Sequence, residues 1–169
     1  DLNPVNHLTA DAIGQPGSRV FYLQGRQNDQ VVTLVVEKIQ VQSLAAGIDE
    51  FLTELGQRYP QLAAPSGEYY EAAMRIQPPV DPLFRVGQLA LAYDGDHDLA
   101  ILIAHEIEAD ESGGEEEPKG SVVRFWCTRS QLLALARWGM EVASRGRPTC
   151  PYCGAPIGPE GHFCPKKNG

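Results

Sequence analysis

Two fifteen-residue segments, "VVTLVVEKIQVQSLA" at 31–45 and "VVRFWCTRSQLLALA" at 122–136, align without a gap 91 positions apart. Five pairs are identical: Val31/Val122, Val32/Val123, Gln40/Gln131, Leu44/Leu135 and Ala45/Ala136. Each segment opens on a β-branched or aromatic run and continues with helical periodicity, so each reads as a strand passing directly into a helix. In the first, Val41, Leu44, Ala45, Ile48, Phe51, Leu52 and Leu55 recur on one helical face. Leu132, Leu135, Ala136, Gly139, Val142 and Ala143 trace the same stripe in the second. Thr128 and Gln131 have capping-box spacing, which starts the second helix there. Convergence of two strand–helix units explains part of the likeness. The shared stripe and the shared Gln favour an ancestral duplication.

Further strands precede each unit. "RVFYLQG" (19–25) is a short apolar strand, and "RQNDQ" turns the chain into the strand at 31–37. "NHLTADAIGQPG" (6–17) is a weaker strand candidate that ends in a Gln-Pro-Gly turn. In the second half, the apolar phase of "LFRVGQLALAY" shifts at Gly87, the mark of a bulge or a close backbone approach. "DGDHD" (94–98) is a hairpin turn. After it, Leu99, Ile101, Ile103, His105 and Ile107 alternate with Ala100, Leu102, Ala104, Glu106 and Glu108, which puts His105 on the apolar face of a half-buried strand.

The expected fold class is therefore α+β: internally duplicated β-β-β-α units forming antiparallel sheet with helices on one face, plus a C-terminal zinc knuckle. The expected boundaries are 1–58 for the first unit, 59–82 for a proline-rich linker, 83–146 for the second unit and 147–169 for a zinc-binding tail. The linker carries five of the thirteen prolines. "EADESGGEEEPKG" (108–120) is expected to be a mobile acidic hairpin loop.

The tail has the spacing C-x2-C-x8-H-x-C, from Cys150 and Cys153 to His162 and Cys164. Zinc takes four such ligands in a tetrahedron, and four in fifteen residues leave no position for water or substrate. One structural, zinc-ribbon-like Zn2+ site is the expectation. The competing reading is a redox Cys-x-x-Cys pair. Such pairs sit at helix N-termini, and Pro151, Pro156 and Pro159 leave no room for a helix here. Cys127, in an apolar run, reads as a buried small hydrophobe. Cysteines this few and this clustered fit reduced thiols in a cytoplasmic protein better than a secreted disulfide scaffold.

Charge narrows the partners. The chain carries −8, yet Arg145, Arg147, Lys166 and Lys167 against Glu160 make residues 145–169 +3. Net acidity disfavours broad nucleic-acid coating and adhesion to anionic membranes, and no apolar run suits membrane insertion. A basic knuckle with exposed Tyr152 or Phe163 is chemically suited to single-stranded nucleic acid. The plainer reading, which we favour, packs Tyr152 and Phe163 across the small metal core and leaves the cations to solubilise it. Candidate partner contacts are thus Arg145, Arg147, Tyr152, Phe163, Lys166 and Lys167. "DGDHD" opens like a calcium loop, but Leu99 and His105 stand where that loop needs Gly and Glu. No phosphate loop, dinucleotide fingerprint or nucleophile elbow is present, so no catalytic residue is assigned.

"GQPGSRVFYLQGR", "EKIQVQSLA", "FRVGQLALAYDGDHD" and "GRPTCPYCGAPIGPEGHFCPKKNG" together resemble the bacterial family catalogued as domain of unknown function 3090, over essentially the whole chain. The closing motif is the most specific part. The resemblance implies a bacterial cytoplasmic protein with a metal-type motif at Cys150, Cys153, His162 and Cys164, and it transfers no activity. Residue 1 is Asp rather than Met, so the chain is expected to begin inside its gene product. The leading expectation is a non-enzymatic interaction or adaptor protein: a duplicated platform with a zinc-stapled docking tail, a groove between units for a peptide, and sheet edges open to an added strand. The alternatives are an enzyme with a site between the repeats, using His105, Glu106 or Arg85, and a nucleic-acid contact through the basic tail.

Overall fold

A computed structural model of the chain describes residues 1–108, 120–145, 151–153 and 164–168. Its elements follow the order β1 (His7–Ile13), β2 (Val20–Gln27), β3 (Gln30–Val36), α1 (Lys38–Arg58), α2 (Glu71–Met74), β4 (Pro82–Asp94), β5 (Leu99–Glu106), β6 (Val122–Cys127), α3 (Arg129–Ser144) and α4 (Pro165–Asn168). The weak candidate at 6–17 is a full strand, and its Gln-Pro-Gly turn uses left-handed backbone at Gly14 and Gly17.

The six strands form one sheet in sequence order. Every neighbouring pair is antiparallel except β3–β4, which is parallel at Thr33/Pro82 and Val35/Arg85. The sheet is therefore mixed, not antiparallel as expected. The cause is the connection: α1 and the residues after it carry the chain back to the end of the sheet where β3 began, and only a long crossover can join parallel neighbours. Sheet edges open to an added strand are the expectation, but the edge on β6 is covered by the chain itself. Leu2 N–H bonds to Arg124 C=O, Trp126 N–H to Leu2 C=O, and Val5 N–H to Trp126 C=O. The segment leading into the first strand thus covers the last, and the sheet curls far enough for the Phe125 ring of β6 to lie against Gly25 of β2.

Gly87 behaves as its sequence context demands. The β4–β5 register shifts between Val86 and Gln88, and a Cβ on Gly87 would stand 2.8 Å from Ile107 Cα. On β5 the alternation holds but its phase is opposite to expectation. Ala100, Leu102 and Ala104 are fully buried, whereas His105 lies with Ile101 and Ile103 on the half-buried side. Small residues point inward here because Phe125 and Cys127 of β6 already occupy that layer.

Both helices start as their sequences dictate. Thr128 Oγ1 accepts from Gln131 N–H while Gln131 Oε1 accepts from Thr128 N–H. Gln40 Oε1 likewise accepts from Glu37 N–H. Each Gln amide then reaches out of its own half: Gln40 Nε2 donates to Val86 C=O at 3.0 Å, and Gln131 Nε2 donates to Val5 C=O at 3.2 Å. The identical Gln pair thus caps two helices and ties each to a strand. The helices bury the expected stripes except for Phe51 and Leu52, which are half-buried, and Gly139 lets α3 approach Val41 of α1 and Ala10 of β1.

Candidate functional site

The face of α1 next to its buried stripe carries Ile39, Ser43, Gly47 and Phe51, with Glu50 and Glu54 at its edge. Because the bulge at Gly87 turns β4, residues 87–91 run alongside this face rather than closing over it. Between them lies a largely apolar groove of about 490 Å3. Ile39, at its mouth, is 65% exposed. A Cβ built on Gly47 meets nothing within 4 Å, so the floor of the groove is open where a side chain would fit.

The matching seam between α3 and β1 is covered by the linker, which leaves a smaller space of about 330 Å3. Position 138, which is 91 residues after Gly47, is a fully buried Trp. Residues from the linker lie over this seam beside Asn6, His7 and Leu8 at the start of β1 and Ser130, Gln131 and Ala134 of α3. Tyr69 meets the Trp138 ring edge-on at 5.8 Å between centroids. Arg145 stands 5.1 Å above the same ring and holds Glu71 through two hydrogen bonds of 2.7 and 3.2 Å. That contact keeps the Glu71 carboxyl below its usual range and raises Arg145 above its own.

A polar row on β1 and β2 fixes the rest of the linker. His7 Nε2 contacts Ala73 C=O at 2.6 Å, and Thr9 Oγ1 donates to Met74 C=O. Asp11, 1% exposed, accepts from Ile76 N–H at 2.9 Å and from Ala12 N–H at 2.8 Å, with Arg75 3.5 Å away. Gln24 takes both main-chain groups of Gln77 and donates as well to Thr33 Oγ1. Buried polar groups are affordable only when bonded, and Thr9, Asp11 and Gln24 each find linker main chain as a partner. The linker is thus strapped down, a role that proline content alone did not suggest. The signal lay in the His-x-Thr-x-Asp alternation of β1.

The other perturbed groups also serve the fold. Burial, then the hydrogen bond to Asp98, pushes the Tyr93 phenol up to about 12. Arg129 bonds both Asp98 oxygens, which lowers that carboxyl, and donates to Ala63 C=O. Burial pushes the Cys127 thiol up to about 12, in keeping with a small core hydrophobe.

Of the expected metal ligands, Cys150 and His162 lie outside the described residues, as do Arg147 and Phe163. Cys153 is half-buried, Cys164 is 4% exposed, and Tyr152 is 57% exposed. Lys166 is exposed, and the Lys167 side chain is outside the description. Among the described residues no group of three or more His, Cys, Asp and Glu is poised for a metal ion. The acidic loop at 109–119 also lies outside the described residues. The three residues considered for catalysis have separate engagements. Arg85 pairs with Glu37 at 2.6 Å, Glu106 accepts from Ser121 N–H, and His105 lies on the half-buried side of β5. No helix among the described residues is long and apolar enough to cross a membrane.

The profile of a family described as "Protein of unknown function (DUF3090)" matches residues 1–164, and the chain belongs to that family. No curated protein matches the chain, and no solved structure does.

Proposed function

We propose that this member of the family is a non-enzymatic interaction protein, built from two related β-β-β-α units and a C-terminal tail stapled by one structural Zn2+. The observation that carries the reading is the open apolar groove along α1 and β4, which exposes Ile39 at its mouth. Apolar surface of that kind marks sites where another molecule docks. Kinship of the units is supported by the Gln40 and Gln131 bonds, which join equivalent helix starts to Val86 and Val5.

Zinc in the tail is supported by donor chemistry. Three thiols and one imidazole at Cys150, Cys153, Cys164 and His162 are the set that structural zinc takes. Zinc would supply cross-linking there, not reaction chemistry. Basic side chains at Arg147, Lys166 and Lys167 then suit the tail to an acidic region of a partner.

The test compares wild type with a Cys150→Ser/Cys153→Ser variant, measuring zinc content and the partner recovered from native cytoplasm. About one zinc per wild-type chain is expected, with a partner that the variant loses while its circular dichroism is unchanged. A small molecule turned over equally by both proteins, and no partner, would sink the reading.

A further inference from the structure

The two helix–strand seams match position by position, and one of them is already covered by a segment of the chain itself. Ile39, Gln40 and Ser43 stand 91 residues before Ser130, Gln131 and Ala134. On the strand side, residues 87–89 flank the open groove as 6–8 flank the covered seam. Gln88 thus takes the place of His7, whose ring contacts the linker carbonyl of Ala73.

Two differences say what the open groove lacks. Trp138 is fully buried on α3 and receives Tyr69, whereas Gly47 leaves the same place empty. Arg145 meets Glu71 at the covered seam, whereas its counterpart in α1 is Glu54. Glu50 and Glu54 are one helical turn apart on α1 and both line the groove, which places two carboxylates where the covered seam has Glu141 and Arg145.

We propose that the α1/β4 groove takes up a segment of a protein partner bearing an aromatic side chain and, two residues later, a Lys or Arg, laid down as Tyr69 and Glu71 lie across α3. The aromatic ring fills the space above Gly47. The cation sits between Glu50 and Glu54, and Gln88 holds the segment's main chain. The inference rests on the interaction reading and adds the chemistry of the occupant.

The probe is a fluorescent peptide of the chain's own residues 66–76 carrying Tyr69→Trp and Glu71→Lys, titrated into the full chain beside the unaltered peptide. The altered peptide should bind and the unaltered one bind less. Gly47→Trp should weaken binding by at least about tenfold, as blocking an aromatic anchor does. Its thermal midpoint should not fall, because a Cβ at Gly47 meets nothing and the groove of about 490 Å3 beside it has room for the ring. Glu54→Arg should reverse the preference between the peptides by roughly threefold, the scale of an exposed ion pair.

Binding indifferent to Gly47→Trp would overturn the proposal. Binding that emerges only after a chelator is added would also overturn it, since the chain's own tail would then be the occupant. So would a sedimenting dimer that Gly47→Trp dissociates, which would make the occupant a second copy. If neither peptide binds but Gly47→Trp abolishes recovery of the native partner, the occupant chemistry is wrong and the interaction reading stands.

Discussion

Two glycines in this protein do opposite jobs. Gly25 is the only residue type that fits beneath the Phe125 ring, because any Cβ there would overlap it. Gly25→Ala is expected to destabilise by about 1–3 kcal/mol through overpacking. Gly47 sits in a helix interior with empty space above it, so Gly47→Ala should stabilise by up to about 1 kcal/mol through helix propensity. Shifts of the urea midpoint in opposite directions would check both. Tyr93 gives a pH prediction at the same scale. Its folded-state value of about 12 lies above the ordinary 10.0, so the fold favours the neutral phenol. The stability this contributes is complete below the ordinary value and is lost as pH rises through the folded one. Tyr93→Phe should therefore lose less stability than wild type between those two values. Unfolding curves that run parallel across that window would refute it.

At the scale of elements, the strap over β1 is the part held by polar chemistry. Asp11→Ala would orphan the Ile76 amide and remove the ion pair between the buried carboxylate and the half-exposed Arg75, at a cost of about 1–3 kcal/mol for an unsatisfied group. Hydrogen exchange at Ile76 and Gln77 should quicken well before the sheet opens, and proteolysis within 66–77 should follow. If exchange there quickens only with global unfolding, the strap is no separate element. Helices, caps and the Gly87 bulge were legible in the sequence because local rules set them: periodicity, the Thr128/Gln131 spacing and a phase shift at one glycine. The parallel β3–β4 pairing, the Leu2–Val5 edge and the inward phase of β5 were not. Each depends on residues far apart in the chain, such as Phe125 against Gly25. Alternation in β5 names two faces but cannot say which of them meets Phe125. The groove escaped for a similar reason. Gly47 and Trp138 acquire meaning only when their helices are seen against their strands.

For the whole molecule, the main apolar core runs from Leu2 to Val142 and does not include Cys164, although that thiol is nearly buried. On the zinc reading, the metal organises the tail, while the sheet, helices and strap hold the body. Stripping the metal with a chelator should release about one zinc per chain and leave the thermal midpoint of the body unchanged. Cleavage by trypsin after Lys166 and Lys167 should rise at the same time. Lowering the pH should have the same effect as chelation, because the ligands must be deprotonated thiolates and neutral imidazole, so acid competes with the metal. A body midpoint that falls by several degrees on chelation would show the metal supporting the core, and the tail could no longer be treated as an independently stapled docking element. Unchanged body stability with a newly cleavable tail would separate the two surfaces. The α1/β4 groove would then be testable in metal-free protein, and its occupant could be assigned without reference to the tail.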